Sequence, residues 1–156
     1  MAGIKLDRTD KQILDILQRD ASTPMVAISE SVGASKSACW RRIQRLEEEG
    51  VIRGRVTLLE PARVGLPLTV YIAIRTSQHN DKWVGDFKTV TSEIDEIIEV
   101  HRMSGDLDYL LKAVVSDMAG YDRLYKRLIK ADFFDVSSSF VMEEMKSTTV
   151  LPLDSD

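Results

Sequence analysis

Apolar residues recur at helical spacing in three segments near the N-terminus, and residues that favour helix ends separate these segments. The first segment starts at Asp7, which can cap a helix and has a second carboxylate, Asp10, three residues on. The second runs from about Met25 to Val32 and is closed by Gly33. The third begins two residues later, so a tight glycine-containing turn joins the last two helices. This arrangement predicts a helix-turn-helix.

The third helix has its start, its faces and its end in one run from Ser35 to Gly50. The Ser35 hydroxyl can accept a hydrogen bond from a free amide of the first turn, and Gly50 adopts a left-handed backbone at little cost. A step of about 100° per residue predicts one narrow apolar stripe and a cationic, hydrogen-bonding surface opposite it. The stripe consists of Cys39, Ile43 and Leu46, and the opposite surface consists of Ser37, Arg41 and Gln44, flanked by Trp40 and Arg45.

The polar surface of this helix suits the major groove of DNA. Arg presents two donors to guanine, Gln pairs with adenine, and small residues near a helix N-terminus allow close approach to phosphate. An ordinary amphipathic helix with a solvated basic face is the alternative. The candidate DNA-binding residues on this helix are Ser35 at the cap, then Ser37, Arg41 and Gln44 for base edges, and Lys36, Trp40, Arg42 and Arg45 for phosphate contact or support.

Basic residues continue beyond this helix. The run from Arg53 to Leu59 predicts a short strand or wing, with Arg53 and Arg55 placed for backbone phosphates, and simple surface charge is the alternative. Between Lys36 and Arg55 the chain has six basic and three acidic residues, although the whole chain carries a net charge of −4. We therefore expect any affinity for DNA to be confined to this region of the protein.

The pattern changes after residue 60. Two prolines and a glycine between residues 60 and 67 predict a linker. The elements predicted beyond it are a strand at Leu68–Arg75, a helix at about 82–92, strands at about 94–103 and 107–115, a helix at 118–129 and a strand at about 136–148. This βαββαβ order predicts a ferredoxin-like unit. The fold class is therefore α+β, with a domain at 1–59, a linker at 60–67 and a second domain at 68–156.

Both faces of the predicted sheet carry apolar residues. Two helices can cover one face, yet the first strand places Thr69, Tyr71 and Ala73 on the other face. An antiparallel sheet with one face in water alternates more sharply than this. We therefore expect the second face to pack against another copy of the chain, which gives a two-fold dimer with two recognition helices for a pseudo-palindromic operator.

Composition removes several classes of site. Cys39 is the single cysteine of the 156-residue chain, so an intramolecular disulfide and a multi-cysteine zinc site are excluded. There is no run of about 18 apolar residues, and the N-terminus does not have the pattern of a signal peptide. We expect a cytoplasmic protein without a metal, a cofactor or a membrane contact.

The residues between the second and third predicted strands combine groups that can bind an amino acid. Gly105 lets the backbone turn and leaves amides accessible to a carboxylate, whereas Asp106 and Asp108 can accept hydrogen bonds from an ammonium group. A plain turn that uses Gly and Asp for their conformational preferences is the alternative.

These motifs together resemble the Lrp/AsnC family of bacterial and archaeal regulators, the feast/famine proteins, and most of all its leucine-responsive branch. The residues that carry the resemblance are Leu6-Asp7-x-x-Asp10, Val32-Gly33-Ala34-Ser35, Arg41-Arg42-Ile43-x-Arg45-Leu46-Glu47-x-x-Gly50-Val51-Ile52-x-Gly54, Gly105-Asp106-x-Asp108-Tyr109 and Met142-Glu143-Glu144-Met145-Lys146. The resemblance implies an operator-binding helix-turn-helix domain and a C-terminal RAM (regulation of amino acid metabolism) domain. It also implies dimers that assemble into octamers, as tetramers of dimers.

The resemblance further implies a small-molecule pocket at a contact between dimers, lined by the loop and the last strand. The effector-binding candidates that it carries over are Arg102, Met103, Ser104, Gly105, Asp106, Asp108, Tyr109, Met118, Ser137, Ser139, Phe140 and Val141. Phe140 and Val141 have an alternative role as core or assembly contacts. Arg102 can change the ligand preference or favour an anionic ligand, so the identity of the effector stays open.

The leading hypothesis is a sequence-specific transcription regulator whose operator binding or assembly state changes when a small amino acid binds at the C-terminal domain interface. An architectural protein that compacts DNA with little sequence preference is one alternative. A ferredoxin-like enzyme is another, because His101 lies near Asp106 and Asp108 in the sequence. No nucleophile has an adjacent base, however, and His79 lies in a polar loop, so we expect no catalytic residues.

Overall fold

The computed structural model describes residues 4–78, 80–130 and 135–153, so His79 lies outside the described residues. The chain divides into two compact units. The first contains the residues up to Thr57 together with those from Lys146 onward, and the second is Leu58–Met145.

Three helices build the first unit: α1 (Arg8–Arg19), α2 (Met25–Val32) and α3 (Lys36–Glu48). The predicted cap of α1 is confirmed, because the Asp7 carboxylate accepts a hydrogen bond from the Asp10 amide at 2.8 Å. The Asp10 carboxylate in turn accepts one from the Asp7 amide at 3.1 Å, which completes a capping box. Ser35 caps α3 as predicted, through a bond from the Ala38 amide at 3.2 Å.

The apolar stripe predicted on α3 is buried. Cys39 and Leu46 are 0% exposed and Ile43 is 4% exposed. Cys39 and Ile43 pack with Ile13 of α1 and Ile28 of α2 in the core of this unit. Their burial fixes which side of α3 faces solvent.

The short strand predicted at Arg53–Leu59 is wrong. Residues 53–60 are in neither a helix nor a strand. A strand needs a neighbouring strand to satisfy its backbone groups, and within the described residues this segment pairs with none. Val56, Leu58 and Leu59 are each more than two-thirds exposed.

The second unit has the predicted βαββαβ order after a 3₁₀ turn at Pro61–Val64. Its elements are β1 (Leu68–Arg75), α4 (Asp81–Ser92), β2 (Ile97–Arg102), β3 (Tyr109–Val115), α5 (Met118–Leu128) and β4 (Asp135–Phe140). The sheet order is β2-β3-β1-β4, and all three strand pairs are antiparallel. The ferredoxin-like prediction is therefore confirmed.

Two strand boundaries differ from the sequence prediction. β4 ends at Phe140 and does not reach residue 148, because its partner β1 begins at Leu68 and is preceded by Pro67, which has no amide hydrogen to donate. The last bond of this ladder runs from the Val141 amide to the Thr69 carbonyl at 3.0 Å. β2 starts later than predicted because residues 95–96 form a turn.

One face of the sheet packs against α4 and α5. Val70, Ile72 and Ile74 of β1 point to this face and are 0% exposed. The alternate residues of β1 lie on the helix-free face, where Tyr71 is 38% exposed. Tyr71 is opposite Lys112 of β3 and Ser139 of β4. The helix-free face therefore mixes apolar, polar and charged side chains.

The chain after the sheet returns to the first unit. The Gln18 side chain of α1 donates a hydrogen bond to the Leu151 carbonyl at 2.9 Å and accepts one from the Leu151 amide at 2.8 Å. The domain boundaries 1–59, 60–67 and 68–156 remain a prediction. The compact units differ from them in placing residues 146–153 with the three helices.

Candidate nucleic-acid interface and effector loop

The solvent-facing side of α3 carries the predicted cationic surface. Ser37 and Arg41 are exposed, and so is the large indole of Trp40, at 55%. Within residues 4–78, 80–130 and 135–153, the side chains of Lys36, Arg41 and Arg53 have no ion-pair or hydrogen-bond partner. These three cations are therefore free to contact phosphates or base edges.

Glu47 binds two of the other DNA-binding candidates. Its carboxylate accepts a hydrogen bond from the Gln44 side-chain amide at 3.2 Å and forms an ion pair with Arg55 at 2.7 Å. Gln44 is half-buried and Arg55 is exposed. Glu47 therefore occupies one donor of each side chain and leaves the Gln44 carbonyl oxygen and the other Arg55 N–H groups available.

Arg42 and Arg45 are held by the start of α1. Nη1 of Arg42 lies 2.6 Å from Oδ2 of Asp7 and 2.7 Å from Oδ1 of Asp10, and Nη2 of Arg45 lies 2.6 Å from Oδ2 of Asp10. Asp10 is 1% exposed. We call these four side chains the Asp10 network. Sequence reasoning missed it because no local signal links residues more than 30 positions apart.

The Asp10 network also shifts the pKa values of Asp7 and Arg42. The hydrogen bond from the Asp10 amide, and after it the bond from the Arg42 guanidinium, hold the pKa of Asp7 below its ordinary value. The Asp7 and Asp10 carboxylates, in that order, raise the pKa of Arg42. Both groups are therefore charged at neutral pH.

The loop between β2 and β3, residues 103–108, contains the predicted effector-binding motif. Met103, Ser104, Gly105 and Asp106 are exposed, and Gly105 has a φ of +110°, which favours glycine. The Arg75 guanidinium holds the loop by donating to the Asp106 carbonyl at 3.0 Å. The Asp106 carboxylate and the Ser104 and Gly105 amides have no partner in the described part of the chain.

Two other candidates from this motif serve the fold. Oδ2 of Asp108 accepts a hydrogen bond from the Thr76 amide at 2.8 Å, just after β1 ends. Tyr109 is 8% exposed, and its ring centroid lies 4.7 Å from that of Phe87. Of the two carboxylates in the motif, the one that is free is Asp106.

The remaining effector candidates lie on different parts of the second unit. Arg102 ends β2 and is exposed, and Met118 begins α5 and is 57% exposed. Ser137 and Ser139 are exposed, since each is opposite an outward-facing residue of β1.

Phe140 alternates to the helix face, where its ring lies 4.9 Å from that of Tyr121, so it is a core contact. The backbone amide of Val141 belongs to the sheet.

His101 is paired with Glu99. Its Nε2 lies 2.9 Å from Oε2 of Glu99, and Lys112 lies 3.5 Å from the other carboxylate oxygen. Glu99 has a pKa below its ordinary value, chiefly because of the hydrogen bond to His101. This cluster lies on the helix-free face, because Glu99 and His101 are opposite Lys112 and Leu110 of β3.

The described residues also bear on metal, thiol and membrane sites. Among them, no group of three or more His, Cys, Asp or Glu side chains is placed to hold a metal ion. Cys39 is buried. None of the helices in the described ranges has the length and the apolar composition that a membrane span requires.

Comparison with known proteins decides the family. Residues 69–151 match the model described as the Lrp/AsnC ligand binding domain, and residues 6–53 match that of a winged helix-turn-helix DNA-binding domain. The chain belongs to the Lrp/AsnC family. The resemblance inferred from the motifs is thereby confirmed.

Several characterised members of the Lrp/AsnC family match nearly the full chain. A glutamate uptake regulatory protein from Zymomonas mobilis is 49% identical, with 96% of this chain and 92% of the relative covered. The Escherichia coli DNA-binding transcriptional activator DecR is 41% identical, with 96% and 99% covered. The leucine-responsive regulatory protein of Escherichia coli is 37% identical, with 96% and 92% covered.

Solved structures of the Lrp/AsnC family agree with the fold. An AsnC family transcriptional regulator from Agrobacterium tumefaciens superposes with a TM-score of 0.90 at 51% identity, over 96% of this chain and 98% of that one. A Neisseria meningitidis regulator in complex with L-Met gives the same TM-score at 34% identity and the same coverage. This Lrp/AsnC protein is thus a DNA-binding transcription regulator with a C-terminal ligand-binding domain, which favours the leading hypothesis over the architectural and enzymatic alternatives.

Proposed function

We propose that this Lrp/AsnC protein is a sequence-specific transcription regulator that binds its operator through α3 and responds to a small amino acid bound by its C-terminal domain. The observation that carries the proposal is the division of α3 into a buried apolar stripe and an exposed cationic surface, on a chain that also has the family's ligand-binding domain. A cytoplasmic location follows from this function as part of the proposal.

The proposed DNA contacts follow from which side chains are exposed and which cations are unpaired, and the exposed Ser37 hydroxyl lies 3.2 Å from that of Ser35. Arg41 and Ser37 are exposed at the centre and the start of α3, so we assign them to base edges. Lys36 and Arg53 are unpaired cations within the described ranges and are assigned to phosphates. Gln44 and Arg55 can join the interface through the hydrogen-bonding groups that Glu47 does not hold. The exposed ring of Trp40 supports the same surface.

The proposed effector site is the exposed part of the loop between β2 and β3. Free amides at Ser104 and Gly105 can donate to the effector carboxylate, and the free carboxylate of Asp106 can accept from its ammonium group. Met103 and Met118 supply exposed apolar surface. The amino acid class is supported by the relative solved with L-Met, and the name of the glutamate uptake regulator is compatible with the same class.

We propose that the functional assembly is a homodimer formed through the helix-free face of the sheet, with tetramers of dimers as the higher assembly. The exposed ring of Tyr71 at the centre of that face supports this arrangement. A two-fold dimer presents α3 twice, as a pseudo-palindromic operator requires. Sedimentation of the purified protein should show no monomer at micromolar concentration, and a monomer would contradict the proposed assembly.

A gel-shift experiment on the promoter of the protein's own gene tests the function. The expected result is a shift that resists a large excess of random competitor DNA and that changes with the concentration of one amino acid. The twenty amino acids are first screened by thermal shift, because a ligand that binds only the folded state raises its stability. A shift that random DNA removes equally well would favour the architectural alternative. The absence of any shift, with or without amino acids, would overturn the proposal.

A further inference from the structure

The Asp10 network ties two arginines of the recognition helix to a buried carboxylate. Each oxygen of Asp10 accepts from a different guanidinium group, Oδ1 from Arg42 at 2.7 Å and Oδ2 from Arg45 at 2.6 Å. Oδ2 also accepts from the Asp7 amide at 3.1 Å. A carboxylate that is 1% exposed is costly to leave unpaired, so it resists release of either arginine. We therefore expect the ion pairs of the Asp10 network to remain intact when DNA binds.

The positions of the two arginines allow the network to orient α3. Arg42 and Arg45 are three residues apart, on the same side of α3, and each directly precedes a buried residue of the apolar stripe. Holding both guanidinium groups at one point on α1 fixes the rotation of α3 about its own axis. This rotation determines whether Arg41 points toward a base edge.

The network also lowers the number of cations available to DNA. Sequence-independent affinity grows with the number of phosphates that a protein neutralises. Within the described ranges, the unpaired cations between Lys36 and Arg55 are Lys36, Arg41 and Arg53, because the remaining arginines of this stretch are in ion pairs. Because carboxylates balance their charge, we expect the guanidinium groups of Arg42 and Arg45 to add little to the binding of random DNA.

From these observations we propose that Asp10 is a specificity-determining positioning residue. It keeps Arg42 and Arg45 out of sequence-independent phosphate binding and holds α3 at the angle at which Arg41 reads bases. The inference rests on the proposed function, since it concerns the same DNA-binding surface. It assigns Arg42 and Arg45 to positioning, in place of the phosphate contact considered for them from the sequence.

The test compares Asp10→Asn with Asp15→Asn as a matched control. Both substitutions remove one negative charge from α1, but the Asp15 carboxylate pairs with Arg19 of the same helix. The dissociation constants for operator and for random duplex DNA are measured across a range of salt concentrations. With Asp10→Asn, we expect the salt slope on random DNA to steepen by about 0.9 per subunit, since the released Arg45 can gain a phosphate whereas Arg42 stays paired with Asp7. The operator-to-random affinity ratio should fall, and Asp15→Asn should leave both quantities as in the wild type.

A second pair of variants gives an answer even if Asp10→Asn does not fold, which circular dichroism establishes first. Arg42→Gln and Arg45→Gln should leave the salt slope on random DNA unchanged, whereas Lys36→Gln should reduce it by about 0.9. A reduction by about 0.9 in either arginine variant would show a phosphate contact and overturn the proposal. So would a folded Asp10→Asn variant with the slope and ratio of Asp15→Asn. A wild-type protein that does not prefer operator to random DNA would contradict the proposed function, while the slopes on random DNA would still test the network.

Discussion

The recognition helix α3 and the loop between β2 and β3 both combine charged and small residues, but the fold uses them differently. On α3 the helical period separates the buried stripe at Cys39 and Ile43 from the exposed Arg41. In the loop no period separates the residues, and of two neighbouring carboxylates Asp108 is bound to a backbone amide while Asp106 is free. Residue type and spacing therefore indicate function more directly on a helix than in a loop.

The largest expected effect concerns Tyr109, which the motif places in the loop site and the structure places in the core. Tyr109→Ala should destabilise the second unit by about 3–5 kcal/mol, as expected when a large buried aromatic side chain is lost. Tyr109→Phe keeps the ring against Phe87 and Trp83 and should cost far less. Denaturant unfolding measures both. If Tyr109→Ala had wild-type stability and lost only amino acid binding, Tyr109 would belong to the ligand site.

The two carboxylates of the loop allow a matched test. Asp108→Ala should cost about 1–3 kcal/mol of stability, because the Thr76 amide loses its acceptor in a partly buried position. Asp106→Ala should change stability by less than about 0.5 kcal/mol, since its carboxylate is exposed. It should nevertheless remove the thermal shift produced by the amino acid effector. The opposite pattern would reverse the roles assigned to these residues.

On the recognition helix, Arg41→Ala should lower the preference for operator over mismatched DNA by about 1–3 kcal/mol, the value of a good bidentate contact with guanine. Folding should not change, because the side chain is exposed. Binding to operator and to variants of each base pair measures the effect. An equal loss on every sequence would make Arg41 a phosphate contact.

Lowering the pH should reduce the stability of the first unit, because Asp7 becomes protonated. Its pKa in the folded protein lies below the ordinary value of 3.8, mainly because of the bond from the Asp10 amide. Since the folded state holds the ionised form, the stabilisation is present above pH 3.8 and is lost as the pH falls through the lowered pKa. Denaturant midpoints at pH 7, 4 and 3 should show this loss, and Asp7→Asn should reduce the dependence on pH. An identical acid dependence in that variant would contradict the assignment.

The smallest effect is expected at the returning C-terminal segment. Gln18→Ala removes two hydrogen bonds to the backbone of Leu151 and should cost about 1 kcal/mol or less, because the contact is exposed. A carboxypeptidase should trim the variant faster than the wild type. Equal rates of trimming would show that these bonds do not hold the segment.

Several element boundaries could be predicted from the sequence, because the residues that set them are close together in the chain. β1 has the bounds that its alternating residues predict, and α3 begins and ends at its predicted cap and glycine, because these signals are local. The end of β4 depends on Pro67 in a distant strand, and the roles of Arg42 and Arg45 depend on Asp10. Pairings between distant positions leave no periodic pattern, so these features required the structure.

The proposed regulation requires that an amino acid and the operator bind to one protein with linked free energies. Calorimetry can measure the dissociation constant of the stabilising amino acid with and without saturating operator DNA. Operator DNA should change the dissociation constant of the amino acid by the same factor as the amino acid changes that of the operator, since such coupling is reciprocal. An amino acid that binds equally well with and without operator DNA would contradict the proposed regulation.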